Sequence, residues 1–182
     1  WAGHRKISAR ELTVHPNLQP VVIRPGVLGN ARPLRVSQQH RILLPSDIVP
    51  GMDCRDEVFV KAKHLAEFCP GIARISPGTN AVGYHHFLLE GHEIVFAEGA
   101  QSESLLPGTM ALKGVSRSDR RELECLFPGF ADAQLPLKSM GFDLARPTLR
   151  RRALAPLFDG PKPPNLSLAR QSHALSGAGH LA

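Results

Sequence analysis

The stretch of sequence that decides the fold is Val36-Ser37-Gln38-Gln39-His40-Arg41-Ile42-Leu43-Leu44. Together with Leu34, its even-numbered apolar residues form one hydrophobic face of an extended strand, and His40 falls on that face if the strand is unbroken. We therefore expect the His40 side chain to point into the protein. A histidine on an apolar strand face is more often a core residue than a catalyst, so this pattern alone leaves its role open.

Short apolar runs separated by glycine and proline recur through the first hundred residues. The runs cover residues 21–24, 34–44, 57–60, 81–89 and 92–97, and the whole chain holds 16 Gly and 16 Pro. This spacing predicts an all-β domain with many turns. Because Glu90-Gly91 lies between the last two runs, we expect those runs to pair as an antiparallel hairpin with its turn there.

Helical signals are few and short. Residues 61–68 predict a short helix or turn that ends before Pro70, and residues 118–127 have an N-cap Ser, an apolar face and a stop at Pro128-Gly129. Residues 146–157 predict one more helix near the C-terminus. We divide the chain into a main domain over 1–130, a partly helical C-terminal extension over 131–158 and a disordered tail over 159–182.

The net charge of +6 is concentrated near the C-terminus. Residues 1–143 hold 16 Lys and Arg against 15 Asp and Glu, whereas residues 144–182 hold 6 against 1. Because this basic segment lacks interleaved aromatic residues, solvated charge is a better interpretation than specific nucleic-acid recognition. No apolar run approaches the roughly 18 residues of a membrane span, and no signal peptide opens the sequence.

The three cysteines, Cys54, Cys69 and Cys125, are odd in number and irregularly spaced, so they do not predict a disulfide framework. None lies in a cysteine-protease motif. Cys54, His64 and Cys69 have the chemistry of zinc ligands but lack the short spacings of a closed zinc site. We therefore expect neither a metal nor another cofactor, and the cysteines are most simply small apolar residues.

Several of these segments resemble a Hint domain, the self-processing module shared by hedgehog proteins and inteins. Residues 36–44, and the run 84–89 followed by His92-Glu93-Ile94-Val95-Phe96-Ala97-Glu98-Gly99, resemble the two histidine-bearing strands that flank its cleavage centre. Trp1-Ala2-Gly3-His4-Arg5 and Ser102-Glu103-Ser104 resemble the bacterial branch of the family. The resemblance covers roughly the first two thirds of the chain and implies a Hint-like all-β fold.

The resemblance implies an acyl shift, in which a thiol or hydroxyl at the start of the domain attacks the preceding backbone carbonyl. Ser37 and His40 match the family's Thr-x-x-His motif, whose histidine approaches the scissile amide and whose hydroxyl supports it. His92 matches a titratable position that helps to move protons. The alternative interpretation of His92 is a water-exposed histidine in a hairpin turn. His85 and His86 lie on opposite strand faces, and His86 is a weaker third candidate.

One part of the family pattern is missing. The family places a nucleophilic Cys a few dozen residues before the first histidine strand, and this chain opens at Trp1, already past that point. We therefore expect the chain to be inactive alone and its substrate to be its own upstream polypeptide. Protein splicing is disfavoured, because Ala100-Gln101-Ser102-Glu103-Ser104 replaces the terminal His-Asn of inteins. The sequence does not identify the nucleophile that accepts the acyl group.

Two other functions remain possible from the sequence. The first is a non-catalytic Hint-like adaptor module of a secreted or surface bacterial protein. The second is a protein that binds polyanions through its basic tail, which would show strong salt dependence. The sequence does not determine the oligomeric state. Localisation is equally open, although the bacterial resemblance is compatible with secretion as part of a larger protein.

Overall fold

The computed structural model describes residues 3–45, 57–77, 80–106, 121, 123–125 and 142–158. Within them the chain forms nine strands: β1 (Gly3–Ile7), β2 (Val21–Ile23), β3 (Leu34–Val36), β4 (Arg41–Pro45), β5 (Glu57–Lys61), β6 (Ala73–Ile75), β7 (Val82–His86), β8 (Ile94–Ala97) and β9 (Ala100–Glu103). The helices are α1 (Ala9–Val14), α2 (Ala62–Phe68) and α3 (Arg151–Phe158), with a 3-10 turn at Pro16–Leu18.

The strands form three small sheets in which all of these strands pair antiparallel. One sheet pairs β1 with β7, the second has the order β3-β2-β6, and the third has the order β5-β4-β9-β8. The prediction of an all-β fold is therefore confirmed. None of the helices in the described part of the chain is long and apolar enough to cross a membrane.

The condition under which His40 would share the apolar face, an unbroken strand over residues 34–44, is not met. β3 ends at Val36 and belongs to the three-stranded sheet, whereas β4 begins at Arg41 and belongs to the four-stranded one. The chain turns in between, where the backbone N–H of His40 donates to the carbonyl of Ser37 over 3.1 Å. Two strands joined by a short turn can show the apolar alternation of a single strand, because alternation does not show where the chain leaves one sheet and enters another.

The expected hairpin at Glu90-Gly91 is also wrong. β7 pairs with β1, and the hairpin joins β8 to β9 through Glu98-Gly99. These two residues have φ of 55° and 98°, the left-handed values that a two-residue hairpin turn needs at both central positions. A Cβ on Gly99 would come within 2.6 Å of the Gly29 carbonyl oxygen, so the turn also requires glycine for space.

The short helices follow local signals. Helix α2 confirms the prediction for residues 61–68. Helix α1, which the sequence did not predict, is capped by Ser8, whose side chain forms a reciprocal capping box with Glu11. Within the predicted helix at 118–127, Arg121 and residues 123–125 are helical, and the other positions lie outside the described residues. Helix α3 begins at Arg151, five residues later than predicted.

The later start of α3 has a physical cause. Residues 147–149 lie beside the outer edge of β5, where the Phe59 N–H donates to the Pro147 carbonyl and the Leu149 N–H donates to the Phe59 carbonyl. These backbone groups are then committed to an extended pairing and cannot join a helix. Leu154 of α3 is fully buried in the main core with the apolar residues of β2, β4 and β5.

The described contacts of residues 142–158 therefore lie on the main domain. The domain boundary at residue 130 and the disordered tail over 159–182 stay predictions, because residues 126–141 and 159–182 lie outside the described part of the chain.

Candidate functional site

The turn that carries His40 is held by the start of helix α2. The first N–H groups of a helix have no partner inside the helix. Here the Ala62 N–H donates to the His40 carbonyl over 2.8 Å, and the Lys63 N–H donates to the Gln38 carbonyl over 3.1 Å. The helix start thereby fixes the backbone on both sides of Gln39 and positions His40.

The side chain of Gln38 fixes the other side of the same turn. Gln38 is buried, and its Nε2 donates to the carbonyls of Pro16 over 2.7 Å and Gln19 over 3.1 Å. A buried amide that satisfies two backbone carbonyls is costly to displace. The turn at residues 37–40 is therefore anchored by groups far from it in sequence, and His40 sits on a defined backbone.

Glu103, at the end of β9, is a buried carboxylate with several donors. Its Oε1 accepts the Arg41 backbone N–H over 2.8 Å, and its Oε2 accepts from the Arg41 guanidinium and from His92 Nε2, the latter over 3.1 Å. Burial raises the pKa of Glu103, but the hydrogen bonds from His92 and Arg41 outweigh burial and hold that pKa below its ordinary value. Glu103 is therefore a fixed negative charge at neutral pH.

His92 is buried, so its interpretation as a water-exposed turn residue is wrong. The Ala145 backbone N–H donates to His92 Nδ1 over 3.0 Å. A ring nitrogen that accepts a hydrogen bond carries no proton, so neutral His92 has its proton on Nε2 and donates it to Glu103. The ring also packs edge-on against Phe59, with centroids 5.4 Å apart.

His40 lies in the electrostatic field of this cluster. Burial lowers the pKa of His40, the negative charge of Glu103 partly opposes that shift, and His86, Arg41 and His92 lower it further. His40 is consequently a neutral imidazole at pH 7 and can accept a proton there. Glu103 thus hydrogen-bonds to His92 and acts on His40 through its charge.

The pair His85 and His86 divides as expected between two faces of β7. His85 is exposed and stacks on His4 of β1, with ring centroids 5.6 Å apart. His86 is half-buried, burial lowers its pKa, and it acts electrostatically on His40. Of the two, His86 is the one on the side of the cluster.

The comparison with protein families identifies the family of this chain. A family model described as the Hint domain matches residues 1–109, more than half of the chain. The chain belongs to the Hint domain family. No curated protein and no solved structure matches it. The matched segment contains His40, Arg41, His92 and Glu103 but ends before Ala145.

The third residue predicted for the Hint site, Ser37, lies at the start of the His40 turn. Its carbonyl closes that turn, and the residue is half-buried. Its hydroxyl has no hydrogen bond to another residue in the described ranges, so the structure does not link it to Glu103. Ser37 shares the backbone turn of His40 but not the hydrogen-bond network of the cluster.

The cysteines of this Hint domain do not join the cluster where they are described. Cys69 is buried, and burial raises the pKa of its thiol to about 11. Cys125 is exposed, and Cys54 lies outside the described residues. No group of three or more His, Cys, Asp or Glu suited to a metal ion occurs among the residues that the structure describes.

Glu103 is the site residue that sequence reasoning missed. Ser102-Glu103-Ser104 resembles the Hint family, but the sequence gives it no mechanical role. The structure buries all three residues, and Ser104 accepts the Glu93 N–H at its Oγ over 2.9 Å. A carboxylate enclosed between two small polar residues at the end of a strand was the available signal, since buried carboxylates need partners.

Proposed function

We propose that the complete Hint domain cleaves its own backbone by an acyl shift and that His40 is its principal proton-transfer group. The observation that carries this proposal is a half-buried, neutral imidazole on an anchored turn, within the electrostatic field of the fixed negative charge of Glu103. A cleavage centre needs a group that can both accept and release a proton near neutrality, and a histidine in this environment is suited to the task.

The proposed step can be written with its atoms balanced. An upstream Cys gives its thiol proton to the neutral His40 ring, and its sulfur attacks the preceding carbonyl carbon. The carbon–nitrogen bond then breaks, and the protonated ring returns the proton to the departing amine. The product is a thioester, which water or a second nucleophile opens. A lowered histidine pKa favours the second transfer, because the imidazolium is then a stronger acid.

Glu103 supports the first transfer, from the thiol to His40, without moving a proton itself. Its charge raises the pKa of His40 and so stabilises the imidazolium that exists between the two transfers. Ser37, in the same turn as His40, is the proposed hydroxyl for the scissile amide, because its hydroxyl is not used by the described residues. His92 assists through Glu103, since both of its ring nitrogens are engaged.

The pairing of β1 supports a substrate that arrives from upstream. β1 runs antiparallel to β7, and Gly3 is opposite His86. Gly3, the first residue that the structure describes, therefore lies at the end of β7 that carries His86, the half-buried histidine that acts on His40.

The test is to extend the chain along its natural reading frame to the Cys expected at the start of the domain. We expect the extended protein to release its upstream segment, and dithiothreitol to accelerate release by attacking the thioester. Replacing that Cys by Ala must abolish release. Intact mass spectrometry measures both products. A folded extended protein that stays intact with and without thiol would overturn the proposal.

The second candidate is a non-catalytic Hint adaptor module. His92 favours the adaptor, because both of its ring nitrogens are hydrogen-bonded inside the protein. Such a histidine can stabilise the fold without taking part in a reaction. A natural reading frame with no Cys at the domain start, or an extended protein that folds and never cleaves, would support the adaptor. Thiol-dependent cleavage would exclude it.

A further inference from the structure

Residues 142–158 lie beyond the family match and yet reach the centre of the domain. The Phe59 N–H donates to the Pro147 carbonyl over 2.8 Å, and the Leu149 N–H donates to the Phe59 carbonyl over 2.9 Å. Thr148 thereby forms a parallel bridge with Phe59. We refer to residues 142–158 as the C-terminal strap.

The strap is anchored on both sides of this bridge. Before it, Arg146 Nε donates to Glu57 Oε2 over 2.8 Å. After it, Arg151 pairs with Glu67 of helix α2, and Leu154 is fully buried in the core. Exposed ion pairs contribute little by themselves, so the buried leucine and the backbone bonds to Phe59 are the main attachments.

At its beginning the strap contacts the site directly. The Ala145 N–H reaches His92 Nδ1 over 3.0 Å, and this contact, together with the Glu103 carboxylate at Nε2, keeps the proton of neutral His92 on Nε2. With the proton on Nε2, His92 donates to Glu103 Oε2. With the proton on Nδ1 instead, the unprotonated Nε2 would face a carboxylate, and the Ala145 N–H would face another donor. Both contacts would then be repulsive.

We propose that the C-terminal strap is a positioning element of the Hint site, with the Ala145 N–H fixing the His92 tautomer that holds Glu103 in place beside His40. Its effect on rate rests on the proposed self-cleavage, whereas its effect on the His92 tautomer does not. The functional unit of this chain accordingly extends beyond the segment that the family model matches.

The first experiment uses the wild-type chain and therefore cannot fail through misfolding of a variant. Histidine labelled with nitrogen-15 reports which ring nitrogen is protonated, measured by NMR near pH 8. We expect His92 to be the Nε2–H tautomer, and the Ala145 amide to exchange hydrogen as slowly as the amides of Phe59 and Leu149. An Nδ1–H tautomer, or an Ala145 amide that exchanges as fast as an unstructured peptide, would overturn the proposal.

The second experiment changes the donor alone. Ala145→Pro removes the N–H, and Ala145→Gly is the matched control because it keeps the N–H. We expect Ala145→Pro to lower the share of the Nε2–H tautomer of His92, because only Glu103 then selects it, and Ala145→Gly to retain the wild-type share. A folded Ala145→Pro variant with an unchanged tautomer would contradict the role of the strap. If that variant does not fold, the wild-type measurements of the His92 tautomer and of the Ala145 amide exchange test the proposal.

The same variants in the upstream-extended protein separate this proposal from the proposed function. Ala145→Pro should slow cleavage by up to about 100-fold, because a catalytic group misplaced by about 1 Å can have an effect of that size. Ala145→Gly should cleave at the wild-type rate. No cleavage in any variant, together with the expected tautomer, would contradict self-processing but not the strap. Normal cleavage despite a lost tautomer would contradict positioning by the strap.

Discussion

His92 donates from Nε2 to Glu103 Oε2 over 3.1 Å, and both side chains are buried. This pair connects two parts of the chain that the sequence treats separately, the segment after β7 and the end of β9. Arg41, directly after His40, donates to the same carboxylate from its backbone and its guanidinium. Glu103 is therefore the centre of the candidate site.

Removing the charge of Glu103 should destabilise the domain. In Glu103→Gln the amide retains the size of the carboxylate, but its NH₂ replaces one of the two acceptor oxygens, so at least one donor loses its partner and Arg41 loses its counter-charge. We expect a loss of about 3 kcal/mol in the free energy of unfolding, the usual scale for breaking a buried ion pair. Glu67→Gln is the control, because its pair with Arg151 is exposed and should contribute little to stability. Equal effects in urea unfolding would contradict a central role for Glu103.

His40→Ala should slow cleavage of the upstream-extended protein by about 10²–10⁴-fold, the usual contribution of a general acid–base group. His85→Ala is the matched control, since His85 is exposed and faces away from the cluster. Thermal melts of both variants separate chemistry from folding. If His40→Ala changes neither the cleavage rate nor the melting temperature, His40 has no part in the mechanism. If both fall together, His40 is a structural core residue.

Stability should fall as the pH drops below the ordinary histidine value of about 6.5. Burial lowers the pKa of His40, His64 and His86 in the folded protein. Below about 6.5 the unfolded chain therefore binds protons that the folded chain does not, and acid favours unfolding. The midpoint of urea unfolding should be lower at about pH 5.5 than at about pH 7.5. His86→Gln should show a smaller drop than wild type, and a midpoint that rises on acidification would contradict this linkage.

Gly99→Ala should destabilise the domain by more than about 2 kcal/mol. The φ of 98° is strained for any residue with a Cβ, and that Cβ would lie 2.6 Å from the Gly29 carbonyl oxygen. Gly71→Ala is the control, because a Cβ there meets nothing within 4 Å. Its effect should stay within about 0.5 kcal/mol. Chemical denaturation measures both, and equal stabilities would contradict the turn assignment.

The 182-residue chain should not fragment when it is incubated with dithiothreitol. Cys69 cannot serve as a nucleophile near neutral pH, because burial raises the pKa of its thiol to about 11. Brief iodoacetamide treatment of the native chain should modify the exposed Cys125 and leave Cys69 unmodified. Intact mass and peptide mapping measure both results. Thiol-dependent fragments would contradict the need for an upstream Cys, and rapid modification of Cys69 would contradict its burial.

The sequence determined the features that depend on neighbouring residues. Apolar runs between turn residues located β2, β5 and β8 to within a few positions, and helix α2 was predicted almost to its ends. Alternation also placed His40 among apolar residues, although the strand that was expected to carry it is broken at 37–40. Local patterns succeed here because strand and helix periodicities reflect burial of the nearest side chains.

Only the tertiary structure decided which segments pair and which polar groups meet. Periodicity could not show that β7 pairs with β1, since many strands fit one another locally and burial of the whole core selects among them. Glu103 lies 62 residues from Arg41, and Ala145 lies 53 residues from His92. A buried carboxylate and a buried imidazole become stable through such distant donors, because the low dielectric of the interior makes each unpaired group costly. The candidate residues could thus be found in the sequence, whereas the contacts that position them exist only in the fold.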